Sequence, residues 1–153
     1  MMLSLGGCGF QPLYDTRDGS SADKQIIQNI AIVKGANREG QILYNNLLDI
    51  MAPYGQPKSP DYTLSYEISI SSQSLGVQVD SSTTRKNSLV SVSFTLVGDN
   101  LSEEFSVKRI TGFSEAINAY ATDVAEQNAI RKNLKEVAQD AKLRVSTIIL
   151  KNQ

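Results

Sequence analysis

A chain of 153 residues with 41% hydrophobic and 20% charged side chains has the make-up of an ordinary globular domain, long enough to bury roughly 70% of the surface its unfolded form exposes. Lys+Arg 15 against Asp+Glu 16 leaves a formal charge of -1, which argues against nucleic-acid binding driven by bulk positive charge. With no histidine and one cysteine, imidazole triads and bases, internal disulfides and zinc clusters are excluded, and no metal or cofactor motif and no membrane-spanning apolar run stands in their place.

The cysteine lies in Leu5-Gly6-Gly7-Cys8. Small residues before a cysteine, with leucine three positions upstream, have the pattern of a lipobox. Small side chains let the backbone lie extended in a peptidase cleft, and the thiol is the nucleophile that accepts a lipid. On this reading residues 1–7 are the truncated end of a signal peptide and Cys8 is the lipidated first residue of the mature chain. Residues 8–24 form a flexible tether, polar and Gly/Ser-containing from Asp15 to Asp23. Residues 25–153 form a single domain.

Within that domain Ile26, Ile30 and Ile32 keep one phase and Ile27 and Val33 the other, which predicts a first strand buried on both faces. Asn37 is an N-cap for a helix marked by Gly40, Leu43, Tyr44, Leu47, Ile50 and Met51, stopped by Pro53 and Gly55. Tyr62, Leu64, Tyr66, Ile68 and Ile70 alternate with polar residues and give the plainest strand of the chain. The phase then slips to Leu75, Val77 and Val79, which predicts a bulge at Ser72 to Ser74. A polar turn is expected over Asp80 to Asn87, then a strand over Val90, Val92, Phe94 and Leu96. A tight turn at Gly98-Asp99-Asn100 leads to a fourth strand through Phe105 and Val107 to about Ile110.

From Asn118 to Leu150 a long helix is expected. Tyr120, Val124, Ile130, Leu134, Val137, Ala138, Ala141, Val145, Ile148 and Ile149 share one arc of it, and Asp123, Gln127 and Arg131 break the arc in its first half. The order β-α-β-β-β-α implies an α+β, two-layer sandwich: a four-stranded mixed sheet with two helices packed on one face.

The other face of that sheet carries Thr63, Ser65, Ser69, Ser71, Ser91, Ser93 and Thr95, with Glu67 its one charge in this reading. By composition such a face is first a solvent face, and a polar wall such as the lumen of a membrane β-barrel is the second reading. Arg85 and Lys86, placed at the tip between the second and third strands, are the candidate anion-binding residues: a guanidinium grips phosphate bidentately and an ammonium adds a mobile charge. Lys108 and Arg109, neighbours on a strand, point to opposite faces and are not a joint site. Glu103 and Glu104 fail as a carboxylate pair for the same reason, and no spacing supports a Ser-Lys or carboxylate enzyme.

The stretch Cys8-Gly9-Phe10-Gln11-Pro12-Leu13-Tyr14 resembles the opening of the mature LPS-assembly lipoproteins, the LptE family, in which Cys-Gly-Phe-x-Pro-Leu-Tyr recurs. The order of elements follows that family over nearly the whole chain. The resemblance implies a non-enzymatic outer-membrane lipoprotein without cofactors, anchored at the periplasmic face by acyl chains on Cys8. It implies a plug inside the LPS-assembly barrel LptD that assists the barrel's assembly and the transport of lipopolysaccharide to the cell surface. It also implies lipopolysaccharide contact, with Arg85 and Lys86 at the family's basic strand–strand connection. Gly9, in place of the aspartate that retains enteric lipoproteins at the inner membrane, fits the same destination. The alternative is a free-standing periplasmic lipid- or anion-binding module using the same two basic residues.

Overall fold

The computed structural model describes residues 27, 29–74, 85–115 and 118–152. Cys8 and the tether therefore lie outside the described residues. The elements are β1 (Ile30–Ile32), α1 (Arg38–Met51), β2 (Tyr62–Ser74), β3 (Arg85–Gly98), β4 (Leu101–Ser114) and α2 (Ala119–Lys151). The strands lie in the sheet in chain order, with β1 parallel to β2 and the other pairs antiparallel. Both helices pack on one face, as the sequence implied.

β1 is shorter than expected. Ile30 and Ile32 are buried, but Val33 is 46% exposed, so burial on both faces does not occur. Ile26 lies outside the described residues, and Ile27 is buried ahead of the strand in a helical conformation. The physical reason is position: β1 is a sheet edge paired over three residues, and only one of its faces meets the helices. Its outer edge is closed by a side chain. The Gln56 amide accepts from Ile32 N at 3.0 Å and donates to Ile32 O at 3.0 Å, standing in for a further strand, and also reaches the Tyr44 hydroxyl at 2.8 Å.

α1 begins as expected at Asn37, whose Oδ1 accepts from Gly40 N at 2.8 Å. It buries Gly40, Leu43, Leu47 and Met51 and ends at a turn where Gly55 takes φ 99, a conformation that glycine adopts without strain. The loop before the helix lies hard against its first turn. A Cβ on Gly35 would stand 2.6 Å from Gly40 Cα, a backbone atom that cannot swing aside. Gly35→Ala is therefore expected to cost about 1–3 kcal/mol, read as a lower urea midpoint with unchanged slope.

β2 runs without a break to Ser74, and its pairing with β3 keeps one register from Tyr62↔Gly98 to Ser74↔Lys86. The bulge expected at Ser72 to Ser74 is absent. The out-of-phase Leu75, Val77 and Val79 lie outside the described residues. β3 starts at Arg85, so Arg85, Lys86 and Asn87 belong to the strand and not to the turn; β4 extends to Ser114 and holds them by pairing Arg85↔Ser114 and Lys86↔Phe113.

The core lies between sheet and helices. Leu64, Val90, Val92, Phe94, Leu96 and Val107 face Leu134, Val137, Ala138, Ala141, Val145 and Ile149 of α2, with Leu43 and Leu47 of α1. Across the sheet, Tyr66, Phe94 and Phe105 form one row, with Phe94 stacked on Phe105 at 5.0 Å between ring centres and tilted against Tyr66 at 6.1 Å. The Tyr66 hydroxyl donates to Gly40 O at 2.8 Å, tying the sheet to α1. Burial pushes this phenol above its usual range, with the Gly35 backbone opposing and Tyr44 adding to the shift.

α2 packs through its second half. Tyr120 is 75% exposed and Val124 is also exposed, which corrects their placement on the buried arc. The breaks at Asp123, Gln127 and Arg131 explain the difference: the first turns are held by polar contacts, Gln127 by Arg38 and Glu126 by Ser72, while the apolar side chains there face outward.

Candidate functional site

The pairing registers settle which side chains share the face opposite the helices. Row by row across β2, β3 and β4 they are Thr63, Val97 and Ser102; Ser65, Thr95 and Glu104; Glu67, Ser93 and Ser106; Ser69, Ser91 and Lys108; and Ser71, Leu89 and Ile110. The hydroxyl-rich face is therefore wider than the sequence reading had it, because β4 adds Ser102 and Ser106. It is also more charged than expected. Glu104 and Lys108 join Glu67, and Arg85 comes to this face through the strand phase. The residues of β4 were legible by continuing the alternation set by Phe105 and Val107 backward and forward along the strand.

Short side chains at the centre of the face leave a hollow. Ser93 and Ser106 fill less space than the glutamates beside them, and a concavity of about 600 Å³ opens between Glu67 on β2 and Glu104 on β4, floored by Ser65, Ser93, Thr95 and Ser106. Among the described residues neither glutamate has an ion-pair partner. Toward one end the face turns apolar: Leu89 lies beside Ile110, which is 63% exposed. An isolated exposed isoleucine is ordinary on a surface, but here it continues a row with Leu89 and Ser71.

The structure separates the two predicted anion-binding residues. Arg85 is exposed on the open face. Lys86, one step along the strand, turns to the helix side, where its Nζ lies 2.8 Å from Glu115 Oε1. The ammonium is thus partly neutralised by its own chain, and the two cations do not converge on one anion. Lys108 and Arg109 diverge as expected. Lys108 is exposed on the open face, and Arg109 is bound between Asp140 and Glu136 of α2, the latter at 3.7 Å.

On the helix side two polar residues, Ser88 and Asn133, are fully buried. Asn133 Nδ2 donates to Ser88 O at 3.0 Å and its Oδ1 accepts from Thr111 Oγ1 at 2.7 Å, so a single amide ties α2 to both β3 and β4. Sequence reading missed it because asparagine on a helix has no periodic signature. Beside it, Ser88 Oγ is buried with no hydrogen-bond partner among the described residues. No group of potential metal ligands gathers among the described residues, and no helix there is long and apolar enough to cross a membrane.

No protein-family model matches the chain, and no curated protein does. Solved structures do. A Caulobacter crescentus CB15 protein assigned as a lipoprotein superposes with a TM-score of 0.66 at 19% identity, over 87% of this chain and 98% of that one. The minor lipoprotein of Acinetobacter baumannii gives 0.59 at 17% identity, over 77% and 91%. Rare lipoprotein B of Shewanella oneidensis gives 0.56 at 10% identity, over 80% and 95%. At these identities the likeness is one of fold, the α+β architecture that this chain shares with the three proteins.

Proposed function

We propose that this chain is a non-catalytic lipoprotein of the outer membrane that seats its open sheet face against the lumen of the LPS-assembly barrel LptD, supports that barrel's assembly and takes part in lipopolysaccharide transport. The observation that carries the reading is the open face itself. It is broad, lined by serines and threonines, and backed by two helices in a fold shared with three lipoproteins. The lumen of an outer-membrane barrel is polar. Serine and threonine hydroxyls can exchange water for hydrogen bonds to such a wall, and they lose little rotamer freedom compared with lysine or glutamate. Acyl chains on Cys8 would hold the domain at the periplasmic face, several chains being needed for a stable anchor. Arg85, exposed at one end of the face, is the better placed of the two basic residues for a lipopolysaccharide phosphate.

Extraction of the tagged, full-length precursor from its native membrane in mild detergent tests this. A large β-barrel protein is expected to co-purify, labelled palmitate to appear on Cys8, and Cys8→Ala to leave the membrane fraction. Paired Ser93→Arg and Ser106→Arg changes, which fill the hollow between Glu67 and Glu104 with two long side chains, are expected to reduce barrel recovery severalfold while the isolated domain stays folded. Recovery without any barrel, even after cross-linking, would sink the plug reading. If the domain alone then bound lipopolysaccharide in a salt-sensitive way and lost that binding with Arg85→Ala, the free-standing module would replace it.

A further inference from the structure

β4 is the outermost strand, and no strand among the described residues pairs with its free edge between Leu101 and Ser114. A 14-residue edge is a template for another strand, and proteins commonly guard such edges with charge. The charges here are Glu103, Glu104, Lys108 and Arg109, and their order does more than guard. The segment Glu103-Glu104-Phe105-Ser106-Val107-Lys108-Arg109 changes sign about its centre. An antiparallel copy placed with its two-fold axis on Ser106 sets Glu103 opposite Arg109, Glu104 opposite Lys108 and Phe105 opposite Val107, and symmetry repeats each pairing. Moving the axis two residues either way sets Glu104 against Glu104 or Lys108 against Lys108, so electrostatics selects one register.

Two further observations agree. Glu104 and Lys108 are both exposed on the open face and have no ion-pair partner among the described residues, so both are available to a second chain. On the helix side of the same edge lies a shallow groove of about 430 Å³ with Phe105, Leu143 and Ile148 in its lining, and Leu143 is 55% exposed. Pairing about Ser106 keeps both helix layers on one side of the joined sheet and lays the Val107 to Arg109 edge of each copy beside the groove of the other.

We propose that β4 pairs with β4 of a second copy of this chain, antiparallel about Ser106, to form one continuous sheet across a symmetric dimer. The inference uses the strand edge and does not rest on the barrel reading. A lumen that holds one copy would compete with the dimer, so the paired form belongs to the chain outside the barrel.

Sedimentation equilibrium of the 153-residue chain, kept reduced so that Cys8 cannot cross-link, tests the pairing. The expected result is a reversible dimer that weakens with salt. Glu104→Lys and Lys108→Glu each place like charges together twice across the axis, and each is expected to weaken the dimer by about tenfold or more. The double variant Glu104→Lys/Lys108→Glu restores opposite charges and is expected to regain most of the lost affinity. Both positions are exposed, and circular dichroism confirms that each variant keeps its fold. A chain monomeric up to about 1 mM overturns the proposal, as does a dimer that ignores the single reversals or a double variant no tighter than either single one.

Discussion

Phe94→Ala is expected to lower the unfolding free energy by about 3–5 kcal/mol, the range for removing a buried phenylalanine. Phe94 is essentially unexposed in the middle of β3, stacked on Phe105 and tilted against Tyr66, so truncation empties the centre of an aromatic row and also forfeits two ring contacts. A domain of this size has about 5–15 kcal/mol in total, so the variant is expected to sit near the edge of folding at physiological temperature. Equilibrium urea unfolding followed by far-ultraviolet dichroism gives the number. Phe94→Leu, which keeps most of the volume, should recover more than half of the loss. A cost under about 1 kcal/mol for Phe94→Ala would mean that the sheet and helix layers are not packed as described.

Asn133→Asp is the second large effect, and it carries a pH signature. The amide donates to Ser88 O and accepts from Thr111 Oγ1 in a fully buried position. An ionised carboxylate keeps the acceptor but sets a negative oxygen against the Ser88 carbonyl, at a cost of about 3 kcal/mol or more. A protonated carboxyl can again donate to Ser88 O, so folding holds the proton and raises this group's pKa above its unfolded value of about 3.9. The sign follows from linkage. Above that value the unfolded chain binds fewer protons than the folded one, so the variant loses stability as pH rises and is nearest wild type in mild acid. The difference in unfolding free energy between Asn133→Asp and wild type, measured near pH 4.5 and pH 7.5, should widen at the higher pH, whereas Asn133→Ala should show a constant deficit. A pH-independent deficit for Asn133→Asp would show that water reaches the site.

The fold is largely legible in the sequence because its signals are local and strong. Tyr62 to Ile70 alternates without exception, Asn37 caps the helix it precedes, and the second half of α2 keeps an unbroken apolar arc. Misreadings fall where a tertiary neighbour overrules the local pattern. Ile26 to Val33 has the composition of a two-sided strand, yet an edge position leaves Val33 in solvent. Tyr120 and Val124 have the right spacing for burial, but the helix at that level offers them no partner surface. Arg85 and Lys86 look like turn residues because they are polar; fourteen paired residues on β4 draw them into the ladder and send them to opposite faces.

The candidate site divides in the same way. That one sheet face would be hydroxyl-rich followed from the period of two in β2 and β3, since alternation assigns faces without knowledge of what lies above them. The sequence also supplied the lipobox pattern around Cys8, a matter of chemistry that needs no fold. The hollow between Glu67 and Glu104, the Lys86–Glu115 pairing and the bridge from Asn133 to two strands bring together residues 37, 29 and up to 45 positions apart. Such contacts are set by strand register and helix docking, which are properties of the packed molecule, and no local periodicity encodes them.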